Sequence, residues 1–114
     1  MVRSNRSEME IEMSVRDVAE YLEEHPETPL VDVRESFERD ICQLPGSQQL
    51  TEQLAEQMLA DWDKEAQIIF YCHHGGRSRA AAEYFQQQGF SQVRNMTGGI
   101  DAWSLQVNPE VPRY

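Results

Sequence analysis

The chain has 114 residues, of which 39% are hydrophobic and 26% charged, as expected for one globular domain with its own core. Its 20 acidic residues outnumber ten basic ones, and the net charge of −10 argues against binding to nucleic acid phosphates. Two cysteines are too few for a disulfide scaffold and no apolar segment approaches membrane-spanning length, so we expect a cytoplasmic protein that does not bind membranes.

The first elements can be predicted from alternation and capping residues. Residues 1–8 are predicted to be a disordered segment, and residues 9–114 to form the single domain. From Met9 to Met13, apolar and acidic residues alternate, which predicts a half-buried strand. Ser14 is then a suitable N-cap for a helix that ends at His25, before a proline.

The middle of the chain contains two more strands and two helices. Residues 30–33 read LVDV, which is typical of a short strand buried on both faces of a parallel sheet. Ser36 is expected to cap a brief helical turn through Asp40. After a Pro-Gly turn, residues 47–50 are a short predicted strand, and Thr51 caps the next helix.

The last third of the chain repeats this alternation. Strands are predicted at 68–71 and 93–96, each followed by a glycine-containing turn. The helix after the first spans about Arg77 to Gln88, and a final helix contains Ile100 and Trp103 before an irregular, proline-broken tail. Strands that alternate with helices predict an α/β fold with a five-stranded parallel sheet and helices on both faces.

The most informative stretch is the turn after the strand at 68–71. The strand ends in Cys72, and Arg77 opens the following helix after four intervening residues that include Gly75 and Gly76. Unpaired N–H groups and the positive end of the helix dipole meet at such a turn and favour an anion. The pattern predicts a reactive thiolate, provided that the side chain of Cys72 remains reachable and the loop N–H groups point at it.

Other residues near this turn have two interpretations each. His73 and His74 line the rim of the predicted anion site, with or without a chemical role. Arg77 either binds the substrate anion or forms an ion pair with an acidic neighbour. Asp32 and Arg34, at the end of a neighbouring strand, either support the loop or hold the strand end by local hydrogen bonds.

Two reactions fit a thiolate in an anion-binding loop: phosphoryl transfer through phosphocysteine and sulfur transfer through a cysteine persulfide. Thiol phosphatases place five residues between the cysteine and the arginine, enough to surround a tetrahedral phosphate. Here four residues intervene, and the narrower loop favours a terminal sulfur atom. A zinc site built from Cys72, a histidine and Cys42 is a weaker alternative, because adjacent residues rarely chelate one tetrahedral ion.

Three sequence blocks together resemble the rhodanese-like sulfurtransferases over residues 9–114. The blocks are LVDVRE at 30–35 with LPGS at 44–47, YCHHGGRS at 71–78 and MTGGIDAW at 96–103. The chain departs from the family pattern at Cys42 and Gln43, where glycine and histidine are usual.

The resemblance implies a sulfurtransferase with Cys72 as the catalytic nucleophile and no cofactor or metal. It implies that the substrate is bound by the remaining loop residues, His73, His74, Gly75, Gly76, Arg77 and Ser78. The implied partners are a small anionic sulfur donor such as thiosulfate, a thiophilic acceptor such as cyanide or a thiol, and a sulfur-relay protein. The open alternatives are a protein-loaded sulfur carrier, a cysteine phosphatase or arsenate reductase, and a non-catalytic interaction domain.

Overall fold

The computed structural model of the chain describes residues 10–114; the predicted disordered segment 1–8 and Met9 lie outside the described residues. Ten elements alternate along it: β1 (Glu12–Met13), α1 (Val15–Glu24), β2 (Leu30–Asp32), α2 (Ser36–Ile41), β3 (Gln48–Gln49), α3 (Glu52–Asp61), β4 (Ile68–Tyr71), α4 (Gly76–Gln87), β5 (Val93–Met96) and α5 (Gly99–Gln106). None of these helices has the length and apolar character needed to cross a membrane.

The five strands form one parallel sheet in the order β1-β5-β4-β2-β3. The central strand β4 pairs with β2 through Phe70 and Val31, and with β5 through Phe70 and Asn95. The predicted α/β fold and the five-stranded parallel sheet are confirmed. Because all strands run in the same direction, the end of β4 meets those of β2 and β5 at one edge, where open α/β sheets bind ligands.

Side chains of β4 alternate between two cores, which explains its continuous apolar sequence. Phe70 belongs to a buried cluster with Met58 of α3 and Phe85 of α4. Tyr71 belongs to the opposite cluster, with Val18 of α1 and Ile100 of α5. Helices therefore cover both faces of the sheet, as a buried parallel strand requires.

Element boundaries differ from the predicted ones at the sheet edges and at helix starts. β1 and β3 have only two residues each, since each pairs with a single neighbour. The prediction that Ser36 caps α2 is wrong: the cap is Glu35, whose N–H donates to the Glu38 side chain at 2.9 Å. α4 begins at Gly76, one residue before the predicted Arg77.

The departure from the family pattern at Cys42 is accommodated without distortion. Cys42 ends α2 with φ of −164°, an extended conformation open to any residue, so a glycine is not required there. The predicted turn follows at Pro45 and Gly46, and Gly46 has φ of +79°. The chain thereby passes from α2 into β3.

Candidate functional site

Cys72 lies in the middle of the carboxyl edge of the sheet. It follows Tyr71, the last residue of β4, and precedes a loop that ends at Gly75, the N-cap of α4. Gly75 has φ of +108°, a left-handed conformation that residues with a side chain rarely adopt. This geometry turns the chain sharply enough for the first residues of α4 to face back toward Cys72.

Several donors converge on the sulfur of Cys72. The N–H of Gly75 lies 3.1 Å from Sγ, the N–H of Ser78 lies 3.4 Å away and the Ser78 hydroxyl 3.3 Å away. Burial opposes ionisation, but Ser78, Gly75 and the N–H of His74 outweigh it and lower the pKa of the Cys72 thiol. The arrangement stabilises a negative charge on Sγ.

Access to this sulfur differs from the sequence-based expectation. Cys72 is only 1% exposed, so the requirement that its side chain be reachable is not met in this conformation. The adjacent His73 ring is covered by Tyr114, which lies parallel to it at a centroid distance of 3.9 Å and an angle of 5°. A small molecule would therefore reach Sγ only through local opening of this edge.

Arg77 takes the second of the two roles considered for it, an ion pair. Its two terminal nitrogens donate to Glu38 of α2 at 2.8 and 2.9 Å, in a bidentate arrangement. The Glu38 side chain is 6% exposed, whereas that of Arg77 is 47% exposed. Arg77, followed by the N–H of Glu35 and the hydroxyl of Tyr114, overcomes burial and lowers the pKa of Glu38 to about 2.

Asp32 and Arg34 hold the end of β2 and do not contact Sγ by hydrogen bond. Arg34 donates to both carboxylate oxygens of Asp32 at 2.9 and 2.7 Å, with both side chains fully buried. Arg34 also donates to the carbonyl of Cys42 at 2.8 Å and to the hydroxyl of Tyr114 at 2.9 Å. These bonds correspond to the local structural role considered from the sequence.

His73, His74 and Asp101 are close together, with potential ligand atoms within 4.8 Å of one another. The two imidazole rings are stacked, however, with centroids 3.9 Å apart and planes at 28°. An ion bound in the plane of one ring at about 2 Å would lie well outside the plane of the other. Arg113 also donates to both oxygens of Asp101, at 2.8 and 3.4 Å. This geometry does not fit a metal ion.

A buried polar network behind Cys72 was not found from the sequence. Ser78 Oγ lies 2.5 Å from Oδ1 of Asn95 in β5, a residue that is 1% exposed. The Asn95 amide nitrogen donates to Gly75 O at 3.0 Å and to the Glu12 carboxylate at 3.0 and 3.2 Å. Asn95 thus fixes both the loop turn and the Ser78 hydroxyl. The sequence signal that could have pointed to it is a polar residue inside the buried strand β5.

Glu38 and Tyr114 were also missed. Glu38 had a weak signal as the third residue of α2, a position where acidic side chains bind the helix N-terminus. Tyr114 had none, because its segment was predicted only as an irregular tail, which it is. Cys42, also near this segment, donates its thiol to the Pro112 carbonyl at 3.2 Å.

The last of the three sequence blocks, MTGGIDAW at 96–103, supports the loop from the side of α5. The N–H groups of Ile100 and Asp101, in the first turn of α5, donate to the carbonyls of Cys72 at 2.9 Å and His73 at 3.1 Å. Gly99, with φ of +67°, allows this close approach, since a Cβ there would come nearer than 3.0 Å to both carbonyl oxygens. The loop is therefore held by α4 and α5 together.

Comparisons with known proteins agree with this architecture. The family model for the rhodanese-like domain matches residues 14–106. The chain is 39% identical over 92 residues to the rhodanese-like/PpiC domain-containing protein 12, chloroplastic, of Arabidopsis thaliana, covering 77% of this chain but only 31% of that protein.

Solved structures with the same fold include two at lower identity. The Alr3790 protein from Anabaena superposes with a TM-score of 0.75 at 20% identity, covering 90% of this chain and 82% of that one. The human single-domain sulfurtransferase TSTD1 superposes with a TM-score of 0.68 at 22% identity, covering 84% and 96%. With the family model matching most of its length, the chain belongs to the rhodanese-like domain family.

Proposed function

We propose that this protein is a sulfurtransferase that accepts a sulfane sulfur on Cys72 and passes it to a thiol or to cyanide. In the first step the Cys72 thiolate attacks the outer sulfur of a donor such as thiosulfate or an alkyl persulfide. An S–S bond forms at Sγ while the donor's S–S bond breaks, and its electron pair leaves with sulfite or a thiolate. In the second step the acceptor attacks the outer sulfur and restores the Cys72 thiolate.

The observation that carries this proposal is the set of donors aimed at Sγ. The N–H groups of Gly75 and Ser78 and the hydroxyl of Ser78 lie 3.1 to 3.4 Å from it. The two N–H groups are fixed dipoles that stabilise the attacking thiolate, and the first turn of α4 offers further N–H groups to the anionic outer sulfur of a persulfide. No metal or organic cofactor enters either step.

Loop length supports sulfur over phosphorus as the atom transferred. The four residues between Cys72 and Arg77 give a loop shorter than that of thiol phosphatases. The guanidinium of Arg77 is, moreover, held by Glu38, so it does not offer the free positive charge that a phosphate dianion needs.

A protein-loaded sulfur carrier is the second candidate, and the burial of Cys72 favours it. A residue that is 1% exposed is poorly placed for rapid encounters with free small molecules. A protein partner that opens the edge of the sheet would expose Sγ only when sulfur is to be transferred. Both candidates share the Cys72 persulfide and differ in what loads and unloads it.

Intact mass spectrometry tests the proposal. The protein is mixed with thiosulfate or an alkyl persulfide, and we expect a gain of one sulfur atom that subsequent cyanide removes. Cys72→Ser should abolish the gain, and Cys42→Ser, which alters the other cysteine, should retain it. A gain that persists in Cys72→Ser would refute the role of Cys72. Absence of a gain with every small-molecule donor would refute the proposed enzymatic activity. Loading of Cys72 by a persulfide-bearing partner protein, with no gain from any small-molecule donor, would favour the carrier.

A further inference from the structure

The positive charge of the active-site loop is already neutralised. Arg77 is the only lysine or arginine between Cys72 and Ser78. Both of its terminal nitrogens donate to the Glu38 carboxylate, at 2.8 and 2.9 Å, with ideal lengths for a charge-assisted bond. An arginine whose two terminal nitrogens both bind one carboxylate has little positive charge to offer a second anion.

Glu38 is held in this position from several sides. Its Oε1 accepts from the N–H of Glu35 at 2.9 Å, and its Oε2 accepts from the hydroxyl of Tyr114 at 2.8 Å. The side chain is only 6% exposed, so a substrate that took Arg77 away would leave a carboxylate buried and unpaired. Such a charge is costly to leave in a protein interior, which makes displacement of Glu38 by a substrate anion unfavourable.

Neighbouring groups do not replace the missing charge. Arg34 forms a buried ion pair with Asp32, and Arg113 forms one with Asp101. Burial, followed by the neighbouring His74, lowers the pKa of His73, so that ring is neutral at physiological pH. Arg34, Arg113 and His73 therefore supply no free cation for a second anionic group, while the loop N–H groups supply dipoles for a single sulfur atom.

Two kinds of donor differ in that second group. Thiosulfate reacts with the Cys72 thiolate to give the Cys72 persulfide anion and sulfite, so a sulfonate carrying the remaining charge must be bound during attack. An alkyl persulfide, R–S–SH, reacts to give the protonated Cys72 persulfide and the thiolate RS⁻. Its alkyl group needs no cation, and the reacting complex carries a charge of −1, whereas the complex with thiosulfate carries −3.

We propose that Glu38, by neutralising Arg77, sets the specificity of the site for alkyl persulfides and against donors with a separate anionic group such as thiosulfate. The proposal rests on the proposed sulfurtransferase function and adds the class of donor to it. Glu38 acts through Arg77 and does not touch the reacting sulfur, so it is a positioning residue. It is also the residue at which the preference can be changed.

The test measures kcat/KM for thiosulfate and for hydroxyethyl persulfide, with cyanide as acceptor, and compares their ratio among variants. Glu38→Gln keeps the side-chain shape but frees the charge of Arg77, so we expect the thiosulfate-to-persulfide ratio to rise about tenfold. Glu83→Gln is the matched control: it removes an exposed partner of Arg79 on α4 and, like Glu38→Gln, raises the net charge by one unit. Its ratio should equal that of the wild type. A ratio unchanged in Glu38→Gln would overturn the proposal.

The double variant Glu38→Gln with Arg77→Gln keeps the test decisive if the single variant does not fold. Two uncharged side chains then replace an ion pair whose net charge is zero, so the thiosulfate-to-persulfide ratio should match that of the wild type. A selective loss of thiosulfate use would show instead that Arg77 binds the donor charge, and would overturn the proposal. Absence of turnover and of sulfur loading with either donor in the wild type would refute the sulfurtransferase function itself.

Discussion

Ser78 Oγ lies 2.5 Å from Oδ1 of Asn95 and donates its only proton to it, because the Asn95 amide nitrogen is turned toward Glu12 and the carbonyl of Gly75. The same hydroxyl lies 3.3 Å from Sγ of Cys72. While Cys72 is a thiol, it can donate to Ser78 and both contacts are satisfied. Once Cys72 ionises, the hydroxyl must turn to the sulfur and leave Asn95 without its donor.

We therefore expect Ser78→Ala to raise the pKa of Cys72 by only about half a unit to one unit. The hydroxyl gains a charge-assisted bond to the thiolate but gives up a neutral one to Asn95, a difference of about 1 kcal/mol. The N–H donors of Gly75 and Ser78 remain in the variant. The pH dependence of Cys72 alkylation by iodoacetamide measures this shift, with Ser91→Ala as the control. An unchanged pKa would show that the hydroxyl stays on Asn95 in both states.

Glu38→Gln should also reduce acid sensitivity. Arg77, Tyr114 and the N–H of Glu35 hold the pKa of Glu38 at about 2 in the folded protein, below its ordinary 4.5. A carboxylate with a lowered pKa stabilises the fold above its unfolded pKa, and this contribution is lost as the pH falls from about 4.5 to about 2.

The variant should lose about 2 kcal/mol of unfolding free energy at pH 7 and show a shallower decline between these pH values. Urea denaturation at a series of pH values measures both quantities, with Glu83→Gln, which removes an exposed ion pair, as the control. Equal acid sensitivity in wild type and Glu38→Gln would contradict the assignment of a strongly bound carboxylate.

The sequence predicted what depends on neighbours along the chain and missed what depends on distant ones. The buried strand β4, the turn at Gly75 and the thiol at Cys72 follow one another within a few residues, so periodicity and turn chemistry were sufficient. The bond from Arg77 to Glu38 joins residues 39 positions apart, and that from Tyr114 to Glu38 spans 76. Such partners become neighbours only once the sheet has formed, and no local pattern distinguishes them from other polar residues.

Gly99→Ala should destabilise the fold by about 3 kcal/mol. The added methyl group would meet the carbonyl oxygens of Cys72 and His73, which are held close because the N–H groups of Ile100 and Asp101 bind them. Gly46→Ala is a matched control, since Gly46 also has positive φ but nothing lies within 4 Å of its added Cβ. That variant should cost about 1 kcal/mol from backbone strain alone. Equal losses in urea denaturation would show that the close approach at α5 does not constrain the loop.

Tyr114→Ala should increase access to Cys72. The phenol ring lies flat on His73 at 3.9 Å, and its hydroxyl donates to Glu38 at 2.8 Å, so it ties the residue beside the thiol to α2. Its segment is held further by Arg113, which pairs with Asp101 at 2.8 Å. Removal of the ring takes away one tie without changing the donors to Sγ.

We expect Cys72 in Tyr114→Ala to react with iodoacetamide about fivefold faster than in the wild type, which corresponds to an opening that is easier by about 1 kcal/mol. The donors to Sγ are unchanged in this variant, so the pKa of Cys72 should stay the same. A change in the alkylation rate at saturating pH then reports access alone. Tyr84→Ala removes a tyrosine that is 46% exposed on α4 and should leave the rate unchanged. If Tyr114→Ala reacts no faster than Tyr84→Ala, the barrier to the sulfur lies in the loop itself, and a partner would have to move α4 or α5 to reach it.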